Sequence, residues 1–277
     1  MALGKPEGVV DFGELIRVAR ECDVLLLKGR VSQVVGLVTE AVGPGVDIGG
    51  MCEIVPRHGS PVLAEVVGFR GDKVLLMPYS EMNGIGPGAV VTDLGKTFEV
   101  AVGHSLLGRV LDGLGRPIDG LGPIEPERKY PVDRKAPGPL QRRGIEKSIS
   151  VGVRAIDTFL TCGKGQRVGI FAGSGVGKST LLGMIARNTE ADINVIGLIG
   201  ERGREVKEFI DKSLGEEGLK RSVVVAATSD SPPLVRIKAA FVTTTIAEYF
   251  RDQGLDVMLM VDSITRFAMA EREIGLA

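Results

Sequence analysis

The spacing of hydrophobic residues changes along the chain and divides it into parts. From residue 28 to about residue 97, apolar runs are short, rich in β-branched residues and separated by Gly and Pro. The predicted strands in this part cover residues 31–41, 52–55, 62–67, 73–77 and 90–93. Because no helical pattern intervenes, strands this short and this closely spaced favour a small antiparallel barrel or sandwich. We predict such a domain over residues 28–97.

Residues 1–27 have a different pattern. Phe12, Leu15, Ile16 and Ala19 recur at helical spacing with charged residues between them, and an apolar run follows. This pattern indicates a short amphipathic helix in front of the barrel.

From about Ile149 onward, apolar runs alternate with longer helical segments. The predicted strands cover residues 168–171, 195–199, 223–227 and 257–261. This alternation predicts an α/β fold with a buried parallel sheet, and it leaves the strand order open. Residues 98–145 are dense in turn formers, and we predict that they form a linker at the start of a second domain over residues 98–277.

Composition and charge narrow the class of protein. A chain of 277 residues has room for about two domains. A formal net charge of −1 and an aromatic content of 4% disfavour a partner that is nucleic acid. We therefore predict that the basic residues between Arg134 and Arg143 form a solvated linker, in preference to a nucleic-acid patch.

The cysteines and the apolar stretches indicate in which cellular compartment the protein lies. Cys22, Cys52 and Cys162 are odd in number and widely spaced, which indicates neither a disulfide framework nor a zinc site. The amino terminus lacks the pattern of an export signal, and no stretch approaches the ~20 apolar residues of a membrane span. His58 and His104 are isolated and favour ordinary structural positions over metal binding. We expect a cytoplasmic protein.

A glycine-rich motif follows the predicted strand at 168–171 and precedes an apolar helical pattern. The motif reads Ala172-Gly173-Ser174-Gly175-Val176-Gly177-Lys178-Ser179, with Thr180 directly after it. Glycines let backbone N–H groups turn toward an anion, and the following helix adds the positive end of its dipole. We predict a phosphate-binding loop over residues 173–180, with Lys178 reaching the β- and γ-phosphates and the Ser179 hydroxyl binding Mg²⁺. The alternative is a Gly/Ser-rich turn before an ordinary helix.

Two acidic residues follow predicted strands, where open parallel sheets bind ligands. Asp262 ends the run 257–261, the place for a carboxylate that holds Mg²⁺ through bound water. Glu201 follows the run 195–199 and is suited to polarising a water molecule, although a glutamate favoured at a helix start is the alternative. Arg202 either steadies phosphate charge or faces a neighbouring subunit, and Arg204 fits an exposed helix start.

Three segments carry a resemblance to a known family. They read CGKGQRVGIFAGSGVGKS (residues 162–179), LIGERGREV (residues 198–206) and DSITRFAMA (residues 262–270). The chain closely resembles the flagellum-specific ATPases of type III export, and the resemblance extends from about Lys28 to the last residue. The injectisome ATPases are similar, and the catalytic subunits of rotary ATP synthases are more distant.

The resemblance implies the fold and the roles of the site residues. Residues 28–97 would form an amino-terminal β-barrel, residues 98–277 a RecA-like P-loop core, and residues 1–27 a segment that contacts a regulator. It implies that Lys178 and Ser179 bind the nucleotide and Mg²⁺, and that Asp262 holds Mg²⁺ through water. It further implies that Glu201 is the catalytic base and that Arg202 lies near the γ-phosphate.

The resemblance also implies an activity and partners. The chain would hydrolyse ATP with Mg²⁺ in a protein-transporting homohexamer, together with export-gate, regulator and chaperone proteins. The expected location is the cytoplasm, and peripheral association with the inner face of the cytoplasmic membrane stays open.

The carboxy terminus departs from the family pattern. The family continues beyond residues 271–277 with the rest of its core, an arginine finger, an adenine-stacking aromatic and a helical domain, so we expect a truncated chain. The alternatives to a flagellar ATPase are an injectisome ATPase, a non-catalytic nucleotide-binding ring subunit and an RNA translocase. The presence of Glu201 disfavours a non-catalytic subunit, and the low aromatic content disfavours an RNA translocase.

Overall fold

The computed structural model describes residues 26–173 and 175–277. The predicted amino-terminal helix lies outside these described residues, as do Cys22 and Ser174 of the glycine-rich motif. Cys52 and Cys162 are buried free thiols.

The first part of the described chain is a closed barrel of antiparallel strands. The strands are β1 (Lys28–Val35), β2 (Val38–Val42), β3 (Gly50–Val55), β4 (Val62–Arg70), β5 (Lys73–Pro78) and β6 (Val90–Thr97). They are arranged in the order β1-β2-β5-β4-β3-β6, and β1 also pairs with β6. Closure leaves no open sheet edge. Small and branched side chains such as Ala41, Ile54 and Val66 fill the interior.

The prediction of a single strand over residues 31–41 is wrong. The structure forms two antiparallel strands there, β1 and β2, which are joined at Gly36 and Leu37. Gly36 has a φ of +56°, in the left-handed region that glycine adopts without steric cost. Val35 and Val38, on either side of this turn, are β-branched. The hydrophobic pattern therefore predicts one continuous strand, although a single glycine makes a turn within it.

The segment predicted to be a linker contains strands of its own. These are β7 (Glu99–Val102), β8 (Val110–Asp112) and β9 (Arg128–Pro131), followed beyond residue 145 by β10 (Ser148–Ile149) and β11 (Cys162–Gly163). β7 pairs with β9 and β10 with β11, whereas β8 pairs in parallel with a strand of the core sheet. The three residues of β8 therefore belong to the core sheet and not to a linker.

The core alternates helices and strands. In chain order the elements are α1 (Arg154–Phe159), α2 (Lys178–Asn188), β12 (Ile193–Glu201), α3 (Gly203–Glu208), a π-helical turn (Phe209–Leu214), α4 (Gly215–Lys220), β13 (Ser222–Thr228), α5 (Pro233–Asp252), β14 (Val257–Asp262) and α6 (Ile264–Gly275).

The core sheet has the order β14-β12-β13-β8, and all its strands are parallel. Side chains of β12 alternate between two apolar clusters: Val195 and Ile199 pack on the side of α5, and Ile196 and Leu198 on the side of α2. Helices on both faces explain why the core strands read as continuous apolar runs. The predicted fold class, a small barrel followed by an α/β core, is confirmed.

The predicted strand at residues 168–171 does not form. These residues belong to no strand, and Val168 and Phe171 are exposed. β12 is paired on both sides, with β13 and β14, and residues 168–171 pair with none of the described strands, including β14 at the edge of the sheet. An apolar run becomes a strand only where a partner edge accepts its backbone hydrogen bonds, and sequence alone does not supply that partner.

The barrel packs against the core through shared apolar residues. Met51 and Met77 of the barrel belong to the same buried cluster as Val242 and Ile246 of α5. The two parts thus share apolar packing in addition to chain connectivity. Within the described ranges, no helix combines the length and the apolar character needed to cross a membrane.

Candidate functional site

Two of the predicted acidic residues meet at the carboxyl edge of the core sheet. β12 ends at Glu201 and β14 ends at Asp262, and the two strands are parallel neighbours with Leu198 opposite Asp262. In open α/β sheets this edge is where ligands bind. The side chains of Asp262 and Glu201 are 5% and 16% exposed, so both carboxylates are largely removed from water.

The loop before α2 has the backbone form that anion binding requires. Gly175 and Gly177 have φ values of +77° and +98°, and Gly177 directly precedes the first residue of α2. A Cβ atom placed on Gly173, Gly175 or Gly177 would meet no atom within 4 Å. The loop is therefore open to a close approach by phosphate, next to the N–H groups at the start of a helix. Val176 and Thr180 are exposed on the same stretch.

Lys178 and Asp262 form an ion pair across the site. Lys178 is the first residue of α2, and its Nζ donates a hydrogen bond to Oδ1 of Asp262. Burying a carboxylate is costly unless a charge partner accompanies it, and the ammonium supplies that partner. The structure thus brings together the loop lysine and the strand-end aspartate, which are 84 residues apart in the sequence.

A narrow cleft lies between α2 and the sheet edge. It encloses about 20 Å³, and it is lined by Ser179, Glu201, Glu205, Asp262 and three apolar residues, Leu198, Val206 and Phe209. This volume suffices for one water molecule or a small ion. A hydroxyl and carboxylate oxygens are the hard ligands that Mg²⁺ prefers, so the residues present fit that ion.

Glu201 has the electrostatic environment of a general base. Burial raises the pKa of its carboxyl above the ordinary value, and the neighbouring carboxyl groups of Glu205 and Asp262 raise it further. The cations Arg266 and Lys178 oppose this shift. A raised pKa makes a carboxylate a stronger proton acceptor, and such shifts cluster at functional sites.

Two residues of the site carried no role in the sequence-based prediction. Glu205 lines the cleft beside Glu201 and helps to raise the pKa of its carboxyl, and Nε of Arg266 lies 3.4 Å from Oε1 of Glu201. Both residues stand in the motifs discussed above, four positions after Glu201 and Asp262 respectively. Because Glu201 and Asp262 end strands, helical spacing does not relate them to Glu205 and Arg266, and only the packing of α3 and α6 shows that these two residues converge on Glu201.

Arg202 and Arg204 do not line the cleft. The side chain of Arg202 is 62% exposed, and its Nη1 donates a 2.7 Å hydrogen bond to Oε1 of Glu205. Arg204 is exposed on the first turn of α3. In the described structure, the side chain of Arg202 is therefore bound to Glu205, which lines the cleft, and does not itself line the cleft.

Comparison with known protein families gives two matches. Residues 31–95 match the beta-barrel domain of the ATP synthase alpha/beta family, and residues 152–277 match its nucleotide-binding domain. The two matched ranges correspond to the barrel and to the core of the structure.

Individual relatives agree with the family matches. The flagellum-specific ATP synthase of Bacillus subtilis is 56% identical over 253 residues, which cover 90% of this chain and 57% of that protein. A type 3 secretion system ATPase of Xanthomonas euvesicatoria is 55% identical over 250 residues, with the same coverage. The chain thus spans somewhat more than half the length of these relatives.

A solved structure resembles the chain in three dimensions. It is the assembled ATPase EscN in complex with its central stalk EscO, from the type III secretion system of enteropathogenic E. coli. The TM-score is 0.83 at 47% sequence identity, and the match covers 90% of this chain and 60% of that one.

Proposed function

The chain belongs to the ATP synthase alpha/beta family, and from this premise we propose that it is an ATP-hydrolysing subunit of the flagellar type III protein export apparatus. One observation carries the proposal. An open glycine loop, the Lys178–Asp262 ion pair and the Glu201 carboxyl meet at one edge of a parallel sheet. Phosphate-binding, charge-neutralising and proton-accepting groups are then in place for phosphoryl transfer to water.

Each residue has a proposed role. Residues 173–180 hold the phosphates, and Lys178 contacts the β- and γ-phosphates. Ser179 and Asp262 hold Mg²⁺, which neutralises phosphate charge when it is bound. Glu201 is the base. Arg202 lies near the γ-phosphate, and because it is exposed and bound to Glu205, this role requires its side chain to turn toward the loop.

The proposed reaction uses the partly buried carboxyl of Glu201. The attacking water gives a proton to Glu201 while its oxygen bonds to the γ-phosphorus, and the bridging oxygen leaves with ADP. The cleft beside Glu201 has room for one such water. A non-catalytic nucleotide-binding ring subunit is the alternative, and a carboxylate at this position argues against it.

The whole protein is proposed to act in an assembly. By analogy with the assembled EscN, we propose a homohexamer that works with export-gate, regulator and chaperone proteins to release substrates for export. Its proposed location is the cytoplasm, with peripheral attachment to the cytoplasmic membrane as an additional state. The near-neutral charge favours protein partners over nucleic acid.

An injectisome role is the second candidate, because relatives from both systems have nearly the same identity to this chain. Complementation separates the two candidates. The full-length gene is expected to restore motility to a strain that lacks its flagellar export ATPase. Restored secretion through an injectisome, without motility, would favour the second candidate.

Nucleotide binding is tested by Lys178→Ala. The change removes the ammonium that faces the phosphates, and a hydrogen bond to a charged group contributes about 1.5–3 kcal/mol, so affinity for Mg·ATP is expected to fall roughly 10- to 100-fold. Calorimetric titration measures the affinity, and circular dichroism checks that the variant is folded.

Lys207→Ala is the matched control, because it removes a lysine from α3 whose side chain is 81% exposed. Its affinity should equal that of the parent chain. Equal affinity in folded Lys178→Ala would contradict the assignment of the phosphate loop.

A further inference from the structure

The side chain of Glu201 faces the cleft because β12 is irregular at its end. Side chains alternate along a strand, so Glu201 should lie on the same face as Val195 and Ile199, which pack on the side of α5. It instead lines the cleft together with Leu198, a residue of the opposite face. The pairing of β12 with β13 shifts register between Ile199 and Glu201, and this bulge re-aims the side chain.

The bulge is centred on Gly200, and Arg266 packs directly on it. Gly200 has a φ of +71°, and a Cβ atom there would lie 2.8 Å from both Cβ and Cδ of Arg266. Arg266 is the third residue of α6, which is separated from β14 by one residue, Ser263. Its stem crosses Gly200 and brings Nε to 3.4 Å from Oε1 of Glu201.

Arg266 is also the cation that is available to Glu201. Two other carboxyl groups, those of Glu205 and Asp262, lie close enough to disfavour a negative charge on Glu201. Lys178 is engaged with Asp262, and Arg202 with Glu205. Within the described residues, the guanidinium of Arg266 is the cationic group that forms an ion pair with Glu201.

We infer that Arg266 is a positioning residue, which holds the re-aimed Glu201 carboxylate in the cleft and so orients it toward the attacking water. The inference rests on the proposed function, since Glu201 acts as a base only if the chain hydrolyses ATP. Because Arg266 contacts Glu201, it affects the chemical step and leaves nucleotide affinity largely unchanged. Misplacing a reacting group by about 1 Å typically costs on the order of 10²-fold in rate.

The experiment compares Arg266→Ala, Arg266→Lys and Arg266→Ala/Glu201→Gln by steady-state ATP hydrolysis. Arg266→Ala is expected to lower kcat about 10- to 100-fold with KM within about twofold. Arg266→Lys keeps the charge without the planar guanidinium and should recover part of the loss. In the Glu201→Gln background, Arg266→Ala should have almost no further effect, because the residue acts through Glu201.

Arg272→Ala is the control, since it removes an exposed arginine from the same helix. The inference is overturned if Arg266→Ala retains the parent kcat, if it raises KM alone, or if its effect is the same in both backgrounds. Failure of the proposed function looks different, because the parent chain would then hydrolyse ATP no faster than Glu201→Gln.

A crystal structure of Arg266→Ala tests the geometry independently of turnover. The Glu201 carboxylate is expected to leave the cleft beside Ser179 and Asp262. An unchanged position of this carboxylate would overturn the inference even if hydrolysis were undetectable in every variant.

Discussion

Asp262 and Glu201 show how burial gives two carboxyl groups different tasks. Asp262 is 5% exposed and paired with Lys178, so its charge is compensated. Glu201 is also largely buried but lies between carboxyl groups, and its pKa is raised mainly by burial. Asp262 is therefore suited to holding a cation and Glu201 to accepting a proton, although the two residues end neighbouring strands.

Glu201→Gln tests this difference. The amide keeps the shape of the side chain but cannot accept the proton, and loss of a positioned base typically costs on the order of 10²- to 10⁴-fold in rate. We expect turnover to fall by this factor while the affinity for Mg·ATP stays close to that of the parent chain. Hydrolysis assays and calorimetric titration of the same preparation measure the two quantities.

Turnover within about threefold of the parent would mean that Glu201 is not the base. Glu217→Gln is a suitable control, because Glu217 lies on α4 with its side chain 83% exposed.

At the scale of elements, the start of α2 depends on how closely this helix approaches the π-helical turn. Gly183 lies in the middle of α2, and a Cβ atom there would lie 2.5 Å from the carbonyl oxygen of Ser213. Phe209 and Leu214 of the same turn are buried against the cluster that contains Leu182 and Ile185. The missing side chain at Gly183 therefore lets α2 dock, and docking places Lys178 and Ser179 at the sheet edge.

Gly183→Ala tests this close packing. In an exposed helix the substitution would stabilise by up to about 1 kcal/mol, but here the added methyl meets backbone, and overpacking costs roughly 1–3 kcal/mol. We expect a lower midpoint in urea unfolding and weaker nucleotide binding.

Gly275→Ala is the matched control, because a Cβ atom there meets nothing within 4 Å. It should be neutral or slightly stabilising. A Gly183→Ala variant as stable as this control would show that α2 and the turn separate easily.

At the scale of the whole molecule, a buried ion pair connects the barrel to the core. Lys238 of α5 and Glu65 of β4 are 5% and 9% exposed, and Nζ lies 2.9 Å from Oε2 of the glutamate. The hydroxyl of buried Tyr79 donates to the same carboxylate, and burial is the main cause that raises the pKa of Tyr79. Because the pair lies within the apolar packing between barrel and core, it selects one orientation of the two parts.

Lys238→Met is expected to destabilise the protein by about 3–5 kcal/mol, because it leaves a buried carboxylate without its cation. Lys238→Met/Glu65→Gln removes the charge as well and should recover part of that loss, so the two changes are non-additive. Denaturant unfolding, followed separately by probes in the barrel and in the core, measures both effects. Strictly additive losses would contradict a direct coupling between Lys238 and Glu65.

Local patterns in the sequence determined much of this protein. The barrel strands after β2, three of the four predicted core strands and the glycine loop before α2 were predictable, because alternation and turn residues act over a few positions. The motifs around Lys178, Glu201 and Asp262 pointed to one kind of chemistry, since strand ends in a parallel sheet share an edge. The hairpin at Gly36 was missed because a single residue makes the turn.

Only the tertiary structure decided which distant segments meet. It brought β8 from the predicted linker into the core sheet, left residues 168–171 without a strand partner, and set Lys178 against Asp262. It also revealed the bulge at Gly200 that turns Glu201 toward the cleft and Arg266. The physical reason is that periodicity records which face of an element is apolar, whereas strand pairing and charge pairing depend on partners that are remote in the sequence.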